Sequence, residues 1–226
     1  MSAPLRLCLS TQNQHKVGEL RELLALHAPA LLPRFHVLSL VDLGISDEPI
    51  EDGVDFAANA TIKAKAAFER TGLWSLADDS GLEVDALDGA PGLYSARYGG
   101  TPAPGQTRDA RNREVLLNAL RDVPESKRQA RFVCVLCLYG GTAAEPIVIL
   151  RRGECTGRML LHERGENGFG YDPLFVPNEY EIDAAKLAPR LYGRTYAELS
   201  SDEKSRLSHR ARALCNLLPD LEQLKR

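Results

Sequence analysis

The strongest constraint on the fold is the alternation of short apolar runs with capped helical periods over residues 5–77. "LRLCLST" (5–11) is apolar, ends in small polar residues and predicts a strand. In "NQHKVGELRELLALHA" (13–28), Val17, Leu20, Leu23, Leu24 and His27 recur at helical spacing, with Asn13 as the expected cap. "FHVLSL" (35–40) predicts a second strand, and an acidic loop, "DLGISDEPIEDG" (42–53), follows it. The alanine-rich "DFAANATIKAKAAFERTG" (55–72) predicts a helix opened by Asp55 and closed by Gly72. "LWSLA" (73–77) predicts a third strand, with Asp78 and Asp79 at its carboxyl end. Thr107 is placed to cap a helix over 108–122, and "RFVCVLCLY" and "EPIVILRRGEC" read as a hairpin around "GGTAAE". "SSDEKSRLSHRARALCNLL" reads as one helix, with a Ser200–Glu203 capping box and a buried stripe of Leu207, Ala211, Leu214 and Leu218. This order predicts an α/β fold with a mixed, elongated central sheet flanked by helices. The 226 residues suit one domain of two lobes with a cleft between them.

A net charge of −3 announces neither a nucleic-acid polymer nor an acidic membrane as partner, though a few local cations could still hold a small polyanion. No apolar run approaches the length of a membrane span, and the N-terminus turns polar too soon for a signal peptide, so a cytoplasmic protein is expected. The five cysteines are odd in number and unclustered, which argues against a disulfide framework. Cys134 and Cys137 form a C-x-x-C within a predicted strand. Residues three apart on a strand point to opposite faces, so core packing is expected of them rather than one shared metal.

Four stretches carry residue types suited to chemistry. Asp78 and Asp79 are adjacent carboxylates whose repulsion must be offset by donors or a cation, unless "DDSG" is a solvated turn. A hard divalent ion such as Mg²⁺, shared with a phosphate-bearing substrate, would offset it. "STQNQHK" (10–16) joins a strand to a helix start, where backbone N–H groups with Thr11, Asn13 and Lys16 suit a phosphate; an ordinary capped turn has the same sequence. No Walker A pattern occurs. "GENGFGYDP" (165–173) sets Phe169, Tyr171 and Asp172 among three glycines. Such a loop allows close backbone approach and base stacking, or turns its aromatics into the core. Lys204, His209 and Arg210 make the last helix basic on one side, as a solvated face also would.

The order of these stretches is more specific than any one of them. "STQNQHK", "EPIEDG", "FAANATIKA", "LADDSGLEVDALDGAPGLYSARY", "GFGYDPLFVP" and "AELSSDEKSRLSHRARAL" together resemble the inosine-triphosphate pyrophosphatases, from about residue 5 to 217. The resemblance implies a two-lobed α/β homodimer that hydrolyses deaminated purine nucleoside triphosphates (ITP, dITP, XTP) to monophosphate and pyrophosphate with Mg²⁺. It implies Asp79 as the catalytic carboxylate and a metal ligand, and Glu51 as the second metal-associated acid. It implies that Ser10, Thr11, Gln12, Asn13 and Lys16 form the triphosphate loop, with Ser80 and Lys63 also on substrate. Phe169, Gly170, Tyr171 and Asp172 match the base-binding loop, and Lys204, His209 and Arg210 the base-recognition residues. Arg97 is expected at either substrate or a dimer interface. The chain departs from the pattern at Gln12, where glycine is usual, at Ala58, where glutamate is common, and at 179–194, which reads as an insertion. Two other readings are a pyrophosphatase for another modified nucleotide and a nucleotide-binding sensor without catalysis.

Overall fold

The computed structural model describes residues 3–12, 14–47 and 49–224. Its six strands form one mixed sheet in the order β2-β1-β3-β4-β5-β6. The chain divides into two compact units. The first takes residues up to Asp79, Cys134–Gly153 and the segment from Arg210 on; the second takes Ser80–Val133 and Glu154–His209.

In the first unit, β1 (Leu5–Leu9) lies parallel to both β2 (Phe35–Ser39) and β3 (Trp74–Val84), with Leu7 opposite Val37 on one side and Trp74 on the other. A central parallel strand is covered on both faces, and the buried residues of β1, Leu7, Cys8 and Leu9, are apolar on both for that reason. Leu7 and Leu9 pack with Leu20, Leu23 and Leu24 of α1 (Gln14–His27) and Leu214, Leu217 and Leu221 of α6 (His209–Gln223). Cys8 points the other way, against Leu40 and Ala67. The helix α2 (Phe56–Thr71) has its expected ends: the Asp55 carboxylate accepts from the Ala58 N–H at 2.7 Å, and Gly72 closes it at φ 65°. Its buried stripe is Phe56, Asn59, Ala60, Lys63, Ala64 and Ala67, so two polar residues sit inside an otherwise apolar helical face.

The second unit packs Leu82 and Val84 of β3, Leu116 and Leu120 of α3 (Arg108–Leu120), and Phe132 of β4 (Gln129–Gly141). Met159 of β5 (Pro146–Met159) and Phe175 of β6 (Phe175–Pro177) join the same core. Phe132 stacks on Tyr196 at 5.6 Å and meets Phe175 edge-on at 4.8 Å. Thr107 caps α3 through the Ala110 N–H. The segment 179–194 contains α4 (Glu179–Ala184) and buries Ile182 and Leu191 in this core.

Three local expectations are corrected. The third strand does not stop at residue 77; it runs to Val84, so Asp78 and Asp79 lie mid-strand rather than at its carboxyl end. The C-terminal helix is two helices, α5 (Ser201–Leu207) and α6, because the fully buried Ser208 takes ψ 155° between them. The stripe proposed for one helix is thereby divided: Leu207 packs in the second unit's core, Ala211 and Leu214 in the first's. Asn13, the expected cap of α1, lies outside the described residues. Cys134 and Cys137 are both buried in β4, and burial pushes the Cys137 thiol up to about 11, as packing residues require.

Candidate active site

Because side chains alternate along a strand, two adjacent residues of β3 face opposite sides of the sheet. This alternation makes two neighbouring carboxylates tolerable. Asp79 faces α2, where Lys63 Nζ lies 2.8 Å from its Oδ1 and Asn59 Nδ2 donates to its Oδ2 at 3.2 Å. Asn59 and Lys63 are one helical turn apart, which brings both to one carboxylate. The same Lys63 ammonium is 3.1 Å from Glu51 Oε2, and the Asn59 side-chain Oδ1 accepts from the Gly53 N–H at 2.9 Å. Glu51 and Asp79 therefore converge on one cation, and Asn59 ties the acidic loop to the helix. Burial pushes the Asp79 carboxyl above its ordinary range despite Lys63. Burial alone would lower Lys63; the charges of Asp79, Asp78 and Glu51 outweigh it and hold the ammonium above its usual value.

Asp78 faces α1 and α6. Its Oδ2 is 3.2 Å from Lys16 Nζ and 3.2 Å from Arg210 Nε, and Arg210 Nη1 is 2.9 Å from Glu19 Oε2. Burial opposes ionisation here too, but Lys16, Arg210 and Lys63 outweigh it and hold the carboxyl well below the usual range. Thr11, Lys16, Asp78 and Arg210 line one small cavity. The loop before α1 is fixed by the Ser10 N–H to the Leu76 carbonyl (2.8 Å) and by Gln12 Nε2 to the Ile45 carbonyl (2.6 Å). The glutamine that departs from the family pattern thus ties this loop to the segment after β2.

The first unit accordingly brings together Ser10, Thr11, Gln12, Lys16, Glu51, Lys63, Asp79 and Arg210 of the expected residues. Asn13 falls outside the described residues. Glu19 and Asn59 were not singled out from the sequence. Their signal was a polar side chain within a buried helical stripe for Asn59, and for Glu19 only a partner 191 residues away. Ser80, half-buried, opens the second unit.

The second unit holds the glycine-flanked loop. Asp172 Oδ2 accepts from the Phe169 N–H at 2.9 Å and from Lys204 Nζ at 2.7 Å. Lys204 thereby stands 5.0 Å above the Phe169 ring and 5.5 Å from that of Tyr196. Gly168, at φ 76°, lies where a Cβ would collide with the Asp172 carboxylate. Tyr171 is turned into the core and its hydroxyl donates to the Ser95 carbonyl at 2.9 Å. His209 is buried and stacks on Phe132 at 4.9 Å. Arg97 is exposed over the Tyr94 ring, 5.1 Å from its centre.

Among the described residues no three His, Cys, Asp or Glu side chains are grouped to hold a metal by themselves. The Glu51–Asp79 pair suits an ion that takes one or two carboxylates and completes its shell with phosphate oxygens and water, as Mg²⁺ does. The Lys63 ammonium, a cation already bound by both, marks that fit.

The profile of the Ham1 family matches residues 7–220. A dITP/XTP pyrophosphatase of Mannheimia succiniciproducens is 46% identical over 213 residues, covering 94% of this chain and 96% of that protein. A HAM1 protein structure from Coxiella burnetii matches with a TM-score of 0.77 at 35% identity, over 97% of this chain and 100% of that one. The crystal structure of a nucleoside-triphosphatase / dITP/XTP pyrophosphatase from Mycobacterium abscessus matches with a TM-score of 0.67 at 37% identity, over 95% and 100% of the two chains.

Proposed function

The chain belongs to the Ham1 family, and from that membership and its two residue groups we propose that it hydrolyses dITP, ITP and XTP to the monophosphate and pyrophosphate. The observation that carries the reading is Asp79: a buried mid-strand carboxylate that shares one cation with Glu51. Lys16, with the backbone of Ser10–Gln12, holds the phosphates, and Asn13 is assigned to the same loop. Lys63 adds positive charge where the triphosphate gathers negative charge. Asp79, at the point where Glu51 and Lys63 converge, is the group assigned to orient the attacking water and accept its proton. Glu51 and Asp79 would hold Mg²⁺, and the ion would supply Lewis-acid polarisation of the phosphate oxygens.

The base falls to the second group. Phe169 offers a stacking face, and Lys204 carries hydrogen-bond donors only; Arg210, held by Asp78 and Glu19 in the first group, is assigned to the base by the resemblance alone. Hypoxanthine and xanthine present a keto oxygen at position 6, an acceptor; adenine presents an amino donor there. A donor set against that amine leaves both groups unpaired, which costs more than a poor apolar fit. Gly170, Tyr171 and Asp172 shape the loop, His209 is assigned to the base with Lys204, and Ser80 follows the reacting carboxylate. A homodimer and a location in the cytoplasm, where such nucleotides arise, complete the proposal.

The test is product analysis after incubation with dITP and Mg²⁺. Deoxyinosine monophosphate and pyrophosphate are expected in equal amounts. Diphosphate with orthophosphate, or no turnover, would overturn the reading.

A further inference from the structure

The loop around Phe169 has a weakness that the rest of the second unit corrects. Gly168 and Gly170, on either side of Phe169, both adopt positive φ (76° and 61°). Glycine gives no side chain to hold such a backbone, and its freedom must be removed by contacts from elsewhere. On one side of Phe169 the contact is Asp172, which takes the Phe169 N–H. On the other it is α3. The Gly170 N–H donates to Asp109 Oδ2 at 2.8 Å, and the Gly170 carbonyl accepts from Arg113 Nη1 at 2.9 Å. One residue's donor and acceptor are thus both held by charged side chains one helical turn apart, the stronger class of hydrogen bond. Arg113 is also ion-paired with Glu163, whose Oε1 is 2.9 Å from its Nε.

The same helix face reaches the segment after β3. Asn112, between the two in sequence and buried, donates to the Ser95 and Ala96 carbonyls at 3.2 Å each and accepts from the Gly99 N–H at 2.7 Å. Tyr171, next to the clamped glycine, donates to that same Ser95 carbonyl. The loop is therefore anchored to α3 directly at Gly170 and again through Ser95.

We propose that Asp109 and Arg113 are positioning residues for base selection: by clamping Gly170 they fix the Phe169 ring and, through Asp172, the Lys204 ammonium against which a base is read. The inference rests on the nucleotide reading above. Neither residue touches the substrate; each acts through the backbone that carries Phe169.

The experiment compares wild type with Asp109→Ala, Asp109→Asn and Arg113→Gln. The readouts are kcat/KM for dITP and for dGTP, and inhibition by inorganic tripolyphosphate, a probe with no base. Asp109→Ala and Arg113→Gln are each expected to raise KM for dITP about tenfold, the scale of one charge-assisted hydrogen bond. The dITP-to-dGTP ratio should fall with it, while tripolyphosphate inhibits as before. Asp109→Asn keeps an acceptor for the Gly170 N–H and should recover most of the ratio. An inactive wild type would refute the nucleotide reading itself. An active wild type whose Arg113→Gln or Asp109→Ala variant keeps its dITP-to-dGTP ratio would overturn the inference alone. So would a parallel loss of tripolyphosphate inhibition, since the effect would then lie in the fold at large.

Discussion

Replacing Asp78 with asparagine separates two jobs that the sequence places side by side. The Asp78 carboxylate is 7% exposed and serves both Lys16 and Arg210 at 3.2 Å. Asparagine keeps the shape and removes the charge that faces Lys16 and Arg210; of the two cations, Arg210 keeps its pair with Glu19. Removing one member of a buried ion pair costs about 3–5 kcal/mol, because the other charge stays desolvated. Lys16 is 20% exposed on its side chain and recovers some hydration, which favours the lower end of that range. In a chain of this size 1 kcal/mol moves the unfolding midpoint by about 2–4 °C, so a loss of about 3 kcal/mol predicts a drop of roughly 6–12 °C. Thermal unfolding of the nucleotide-free protein measures it. Asp79→Asn should lower the midpoint less, because burial of the Asp79 charge is not fully compensated and asparagine relieves it. A midpoint for Asp78→Asn within about 2 °C of wild type would refute the reasoning, as would a larger drop for Asp79→Asn.

Activity should vanish in EDTA and return on adding Mg²⁺, since Glu51 and Asp79 supply only two carboxylates and leave the triphosphate charge to the ion; full turnover in EDTA would remove the metal from the account. Lys204→Met should lower kcat/KM for ITP much more than for ATP, and an unchanged ratio would mean that Lys204 does not read the base. A thiol reagent should modify Cys215 in the folded protein well before Cys8, Cys134, Cys137 and Cys155, which are buried; rapid reaction at two or more sites would contradict that burial. Asp42 accepts from the Ser39 N–H, which holds its carboxyl below the ordinary value. It therefore adds stability above about pH 4 that is lost as pH falls through the folded value, and Asp42→Asn should flatten the stability profile on that acid side.

How much was legible in the sequence depended on how local the cause was. The helix α2 could be read to the residue because Asp55, Gly72 and the alanine period all lie within it. The extent of β3 could not. "DDSG" has the composition of a turn, but it lies in a strand between β1 and β4, and the charge that offsets its buried carboxylates comes from far along the chain, with Arg210 132 residues from Asp78. The break at Ser208 was equally hidden, because no glycine or proline marks it and the surrounding residues continue a helical pattern. The candidate site residues emerged from the order of motifs, but their partners did not. The sequence separates Lys63 from Asp79 by 16 residues and Asn59 from it by 20, and only the packing of α2 on β3 makes them one cluster. Asp109 and Arg113 were read only as part of a helix, since their importance lies in which backbone groups they meet.

The most direct test of the account is a single-turnover measurement with Asp79→Asn. A saturating amount of enzyme is mixed with labelled dITP and Mg²⁺, and nucleotide binding and pyrophosphate release are followed separately. Losing a general base costs about 10²–10⁴-fold, and weakened ion binding adds to it. The account predicts a loss of at least that size in the release step, with dITP binding still measurable. Pyrophosphate release within tenfold of wild type would contradict it, because the chemistry would then belong to some residue other than Asp79.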